Sequence, residues 1–133
     1  ARLAVERMTN DEMAELSAII DEMLQHAQAG EEADVYELDL AFHKRAIELS
    51  KHHLLCNLLR KLRRQINVFI RFDTETTPDL LNYASNHLLL LNAIKSRDPK
   101  KVEKVFRDHI LEVGEVLAKR YQESQKQKSS DTD

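Results

Sequence analysis

The chain is short of nearly every residue that bends or staples a backbone: its 133 residues include two glycines, two prolines and one cysteine, and no tryptophan. Lone Cys56 can make no internal disulfide, which suits a reducing compartment. So few chain-reversing residues leave little room for strand–turn–strand traffic, and an all-helical chain is expected. No apolar run approaches the roughly 20 residues of a spanning helix, and no basic segment leads into an apolar leader. A cytoplasmic protein without a membrane partner is therefore expected. Positive charge is not in excess either: 20 Lys+Arg against 23 Asp+Glu leaves −3, which argues against this chain gripping DNA by itself. Catalytic signatures are missing as well. There is no Glu-x-x-His, no His-Glu-x-x-His, no glycine-rich phosphate loop and no cysteine pair. Nothing resembles an activated nucleophile beside a base, so no enzyme is expected.

What the chain does have is helical periodicity. Hydrophobic residues make up 42% and charged residues 32%, which supports one core, in a chain too short for two comfortable domains. It opens directly into ARLAVERM, helical in composition with no cap before it, as expected of a piece of a longer protein. Thr9 and Glu12 form a capping box, in which hydroxyl and carboxylate satisfy each other's free backbone amides. Met13, Leu16, Ile20, Met23 and Ala27 then recur at helical spacing, and Gly30 follows as a C-terminal cap. A third helix is expected from about Asp34 to Ser50, with Val35, Leu38, Phe42, Ala46 and Leu49 on one face. A fourth runs from about His53 to Phe72 through Leu55, Leu58, Leu59, Leu62, Ile66, Phe69 and Ile70. DTETTP reads as a loop closed by Pro78, and a fifth helix spans about Asp79 to Ser96. The last begins with Asp98 as cap and Pro99 at the first helical position, a favoured pair. It continues through Val102, Val105, Phe106, Ile110, Val113 and Leu117 to about Glu123. The expected fold is all-α: a single antiparallel bundle of about six helices over residues 1–123, then a disordered polar tail over 124–133.

Four polar residues interrupt the apolar stripes. At about 100° per residue, His87 falls among Leu80, Ala84, Leu91 and Ile94, and His109 among Val102, Val105, Phe106 and Val113. Asp39 and His43, spaced i and i+4, flank the stripe of the third helix and can act from one side. Three helices thus turn imidazole or carboxylate toward one interior, where burial is costly without compensation. A divalent metal would compensate them, since neutral imidazole and carboxylate suit zinc, nickel or manganese. Taken singly, each is better explained as a hydrogen-bonded core side chain. About one carboxylate–histidine pair at this spacing is expected by chance among the six histidines. Glu22/His26 and Glu48/His52 are also such pairs and read as surface or helix-end contacts. Convergence on three inward faces leaves the metal site and the packed core evenly matched as readings.

The stretches ARLAVERMTNDEMAEL, LDLAFHKRAIELSKHHLL and NHLLLLNAIKSRDPKKVEKVFRDHI resemble the FCD domain. That is the effector-binding C-terminal domain of FadR-type regulators in the GntR family. The resemblance runs from Ala1 to about Ala118. Its most specific element is Asp-x-x-x-His followed by two later histidines, here Asp39, His43, His87 and His109. It implies a metal ion, zinc or nickel before manganese, held by these four on the floor of a pocket that takes a small organic acid or sugar acid. It also implies a homodimer, and operator DNA bound through an N-terminal winged helix-turn-helix that lies outside this chain. The chain departs from the family at His52 and His53, where Asn and Pro are frequent, and at Asn86, where an acidic residue often precedes the third ligand. Neither departure touches the four ligands, though both bear on pocket shape.

On the fourth helix, Arg63 and Asn67 are the candidate effector contacts, Arg63 being placed beside the apolar stripe where it can pair with a carboxylate. A solvated arginine within RKLRR is the plainer alternative. Leu88 to Leu91 ring the fifth helix with leucine, more than one packing face requires, so a second subunit is expected to cover the surplus. The expected function is a metal-dependent sensory domain of a bacterial transcription regulator. A metal-free helical dimerisation module and, third, a small metal-dependent hydrolase are the alternatives.

Overall fold

The computed structural model describes the backbone over residues 1–76 and 79–130, and side chains over the same residues except 63, 69–70, 72–76, 124 and 126–130. Among the described residues six elements occur, all helical: α1 (Arg2–Arg7), α2 (Asn10–Ala29), α3 (Glu32–Glu48), α4 (His53–Thr76), α5 (Leu80–Lys95) and α6 (Pro99–Ser130). The punctuation works as its chemistry requires. Thr9 Oγ1 accepts from the Glu12 amide at 3.1 Å while Glu12 Oε2 accepts from the Thr9 amide at 2.8 Å. Gly30 closes α2 at φ 75, a left-handed conformation that glycine adopts without a Cβ penalty. Asp79 Oδ1 accepts from the Asn82 amide at the start of α5. Asp98 Oδ1 accepts from the Lys100 and Lys101 amides ahead of α6.

Two elements run further than expected. α4 continues through Thr76, four residues into DTETTP, and the rest of that expected loop, residues 77 and 78, lies outside the described residues. α6 continues past Glu123 to Ser130, through Gln and Lys with no glycine or proline to end it; residues 131–133 lie outside the described residues.

α3 is the hub. It packs against α2, α4, α1 and α5, while α2 also meets α5, and α6 meets α1, α4 and α5. Leu16, Ile20 and Met23 of α2, Val35 and Phe42 of α3, Leu90 of α5 and Val102 of α6 are wholly buried. Each contributes about 1.5–3 kcal/mol of burial. Two arginines stitch the joint between α1 and α2 to the ends of α3 and α5. Arg7 Nη1 donates to Ser50 O at 2.8 Å, and Arg97 donates to Met8 O at 2.6 Å and to Asn10 Oδ1 at 2.7 Å.

The leucine surplus lies mainly elsewhere than the sequence suggests. Within this one chain Leu90 and Leu91 are buried and Leu88 is partly buried, leaving Leu89 exposed. On α4, by contrast, Leu54, Leu58 and Leu62, spaced i, i+4 and i+8, are all exposed. The apolar arc of α4 is wider than the strip its neighbours cover.

Candidate metal centre

The centre of the bundle assembles from three helices. Asp39 and His43 come from α3, His87 from α5 and His109 from α6. Asp39 is 2% exposed and His87 1%, while His43 and His109 are half-buried. His87 sits as the periodicity predicts, with Ala84, Leu91 and Ile94 buried on the same face. The three ring centroids form a near-equilateral triangle, 5.5 Å for His43–His87, 5.5 Å for His43–His109 and 5.4 Å for His87–His109. One nitrogen from each ring lies within 4.8 Å of the other two. Asp39 Oδ1 stands 3.1 Å from His43 Nε2 and 3.3 Å from His87 Nε2.

Tyr83, one turn before His87 on α5, completes the cluster and was missed from sequence. Its hydroxyl donates to Asp39 Oδ2, and its carbonyl oxygen lies 3.3 Å from His87 Nδ1. The available signal was its i−4 spacing from His87. Asn67 lies half-buried on α4, and its backbone carbonyl oxygen accepts from the Tyr36 hydroxyl at 3.5 Å. The Arg63 side chain lies outside the described residues.

The hydrogen-bond roles around His87 carry chemical information. A backbone carbonyl only accepts, so in the tautomer that points Nδ1–H at Tyr83 O a neutral ring bears a lone pair at Nε2. Opposite that lone pair lies Asp39 Oδ1, another acceptor. Either the other tautomer, donating Nε2–H to Asp39, or a cation between the two reconciles them. Among the described residues no buried side-chain polar atom lacks a partner, so hydrogen bonds alone can close the network.

A metal also fits the donor set. Nitrogens within 4.8 Å of one another fit inside a circle of about 2.8 Å radius, so the rings would draw in by up to about 0.7 Å to reach the bond length of about 2.0–2.1 Å. Bonds of that length separate adjacent ligand atoms by about 2.9 Å at right angles and about 3.4 Å at the tetrahedral angle. The two contacts of Asp39 Oδ1, at 3.1 and 3.3 Å, fall between those values.

Electrostatics point the same way. Burial is the strongest influence on Asp39 and raises its pKa. The His43 charge and hydrogen bonds from His43 and His87 together outweigh it and hold the carboxyl well below its usual range. Burial, reinforced by the charges of His43 and His87, pushes His109 down to about 4. An ionised Asp39 and a neutral His109 are the forms in which these two side chains can ligate a metal.

The family model described as the FCD domain matches residues 1–112. The solved structure of E. coli McbR/YncC is similar, with a TM-score of 0.77 and 21% identity over 90% of this chain. At that identity the likeness shows the fold. The chain spans 57% of the length of the McbR/YncC chain. No curated protein matches the sequence.

Proposed function

Because this chain belongs to the FCD domain family, we propose that it is the ligand-sensing, metal-binding C-terminal domain of a bacterial GntR-type transcription regulator of the FadR kind. Asp39, His43, His87 and His109 hold one divalent ion, zinc or nickel before manganese, as suits imidazole nitrogens joined by one carboxylate. The observation that carries this reading is the His87 ring, which faces an acceptor at each nitrogen while 1% exposed. When bound, the ion supplies a Lewis-acid position at which the carboxylate of a small organic acid or sugar acid can bind.

The chain's own residues do the positioning. Asp39 orients His43 and His87 through one oxygen, and Tyr83 holds Asp39 and His87 from the far side. His43 and His109, the half-buried pair, mark the side from which an effector reaches the cluster. A shift of α3 or α5 then reaches the α1–α2 joint through Arg7 and Arg97, which bond that joint to the ends of both helices. A winged helix-turn-helix joined upstream of α1 would read that shift as a change in half-site spacing, the differential contact that allosteric coupling requires. Homodimerisation belongs to the same reading, with Leu54, Leu58 and Leu62 of α4 as the apolar surface available to a second subunit.

Elemental analysis of the purified chain tests the site. One equivalent of metal is expected, and His87→Ala is expected to lose it; equal metal in both sinks the assignment. Titration of organic acids against operator binding by the full-length regulator, with and without His109→Ala, tests the sensing role. The second reading is a metal-free dimerisation module, favoured by the fully partnered buried polar atoms. It predicts no bound metal in either protein.

A further inference from the structure

The two oxygens of Asp39 have different surroundings. Oδ1 faces ring nitrogens, 3.1 Å from His43 Nε2 and 3.3 Å from His87 Nε2. Oδ2 accepts instead from the Tyr83 hydroxyl, which reaches it from α5. We infer that this hydroxyl determines ion specificity: it holds Asp39 to one ligating oxygen and thereby favours zinc over manganese. The inference rests on the metal centre proposed above and goes beyond it, to the choice among ions.

Three features of the structure support it. First, Tyr83 is held in place independently of its hydroxyl. Its side chain packs against the core, its ring lies 5.7 Å from the His87 ring, and its backbone carbonyl oxygen stands 3.3 Å from His87 Nδ1. The apolar body of the ring thus aims the polar tip at α3. Second, Asp39 is 2% exposed, so water offers little competition for Oδ2. An O–H bond to a carboxylate is about twice as strong as one between neutral groups. Turning the carboxylate to present both oxygens to an ion would break that bond. Third, the donor set is already rich in nitrogen. His43, His87 and His109 each offer one ring nitrogen to the same space. Imidazole suits zinc, whereas carboxylate, carbonyl and water oxygens suit manganese. With Oδ2 held by Tyr83, an oxygen-seeking ion finds one carboxylate oxygen from Asp39; with Oδ2 released, it finds two.

Tyr83 acts on the ion only through Asp39, so it is a positioning residue. Hydrogen-bond partners of metal ligands typically contribute about 10–100-fold in affinity. Releasing Asp39 costs a zinc ion that fixation, whereas a manganese ion regains part of the loss through the second oxygen.

Tyr83→Phe removes the hydroxyl and keeps both the ring and the backbone carbonyl. Calorimetry on chelator-stripped wild type and Tyr83→Phe at neutral pH gives Kd for zinc and for manganese in each. Zinc binding is expected to weaken about 10–100-fold and manganese binding by less, so that the preference for zinc falls by about tenfold. A hydroxyl that merely stabilised the bundle would weaken both ions alike. An unchanged or larger preference in a wild type that binds zinc therefore overturns this inference alone. A wild type that binds no zinc overturns the metal centre and this inference with it. Should Tyr83→Phe lose its helicity, Tyr83→Leu takes its place in the same comparison.

Discussion

Replacing His87 with alanine separates the contribution of the packed network from that of a bound metal. The side chain is 1% exposed and contacts an Asp39 that is itself 2% exposed. Removing it deprives an ionised buried carboxylate of one of its partners and leaves His43 and Tyr83. Loss of a sole partner for a buried charge costs about 3–5 kcal/mol. With two partners remaining, about 2–3 kcal/mol is expected, part of it from the space the imidazole vacates. In a chain of this length that lowers the Tm of metal-free protein by about 10 °C. Zinc then provides the second measurement. At a free concentration about 1,000 times Kd a ligand adds about 4 kcal/mol to the native state, so wild type should gain about 15 °C. His87→Ala should gain little. Thermal melts followed by circular dichroism, with chelator and with zinc, read both numbers. A zinc-induced rise of equal size in wild type and His87→Ala refutes ligation by His87. No rise in wild type refutes the metal centre and leaves the first drop as the whole effect.

Acid should weaken the metal-free protein in a defined window. Burial pushes His109 down to about 4 from 6.5, so between those values the unfolded chain binds more protons and stability falls as pH drops, by about 3 kcal/mol in all. Asp39, also depressed, adds its loss below the ordinary carboxylate value. Urea unfolding across that window checks the slope, and a flat profile contradicts the burial of a neutral His109. Gly30→Ala should cost about 1 kcal/mol. A Cβ there meets nothing within 4 Å, so the left-handed backbone at φ 75 is the only source of strain. Gly30→Asn should cost less, and equal losses in denaturation midpoints would contradict a purely backbone origin. Leu58→Glu should turn a dimer into a monomer in sedimentation with little loss of helicity, because Leu58 is exposed in the single chain. A dimer that survives places the seam elsewhere.

The candidate site was legible to the extent that periodicity could carry it. His87 lies on a buried face because residues at helical spacing from it are apolar, and the same count placed Asp39 and His43 side by side. Periodicity says nothing about which helices touch. Tyr83 escaped notice because its partner, Asp39, is 44 residues away on another helix. Leu58 and Leu62 were read as core, and both are exposed, because a helix's apolar arc and the area its neighbours cover are separate quantities.

What the sequence determined by itself is local. Thr9 with Glu12, Gly30, and Asp98 with Pro99 mark helix ends through hydrogen bonds and backbone preferences that span only a few residues. Scarcity of glycine and proline set the class, and helical spacing chose the inward faces. Tertiary structure decided everything that depends on distance across the bundle. It brought the imidazoles of α3, α5 and α6 within 4.8 Å, set one carboxylate oxygen against two of them, and aimed both nitrogens of His87 at acceptors. It also decided which leucines remain uncovered. Chain propensity acts over a turn or two, whereas the packing of one helix on another is chosen by the whole core at once.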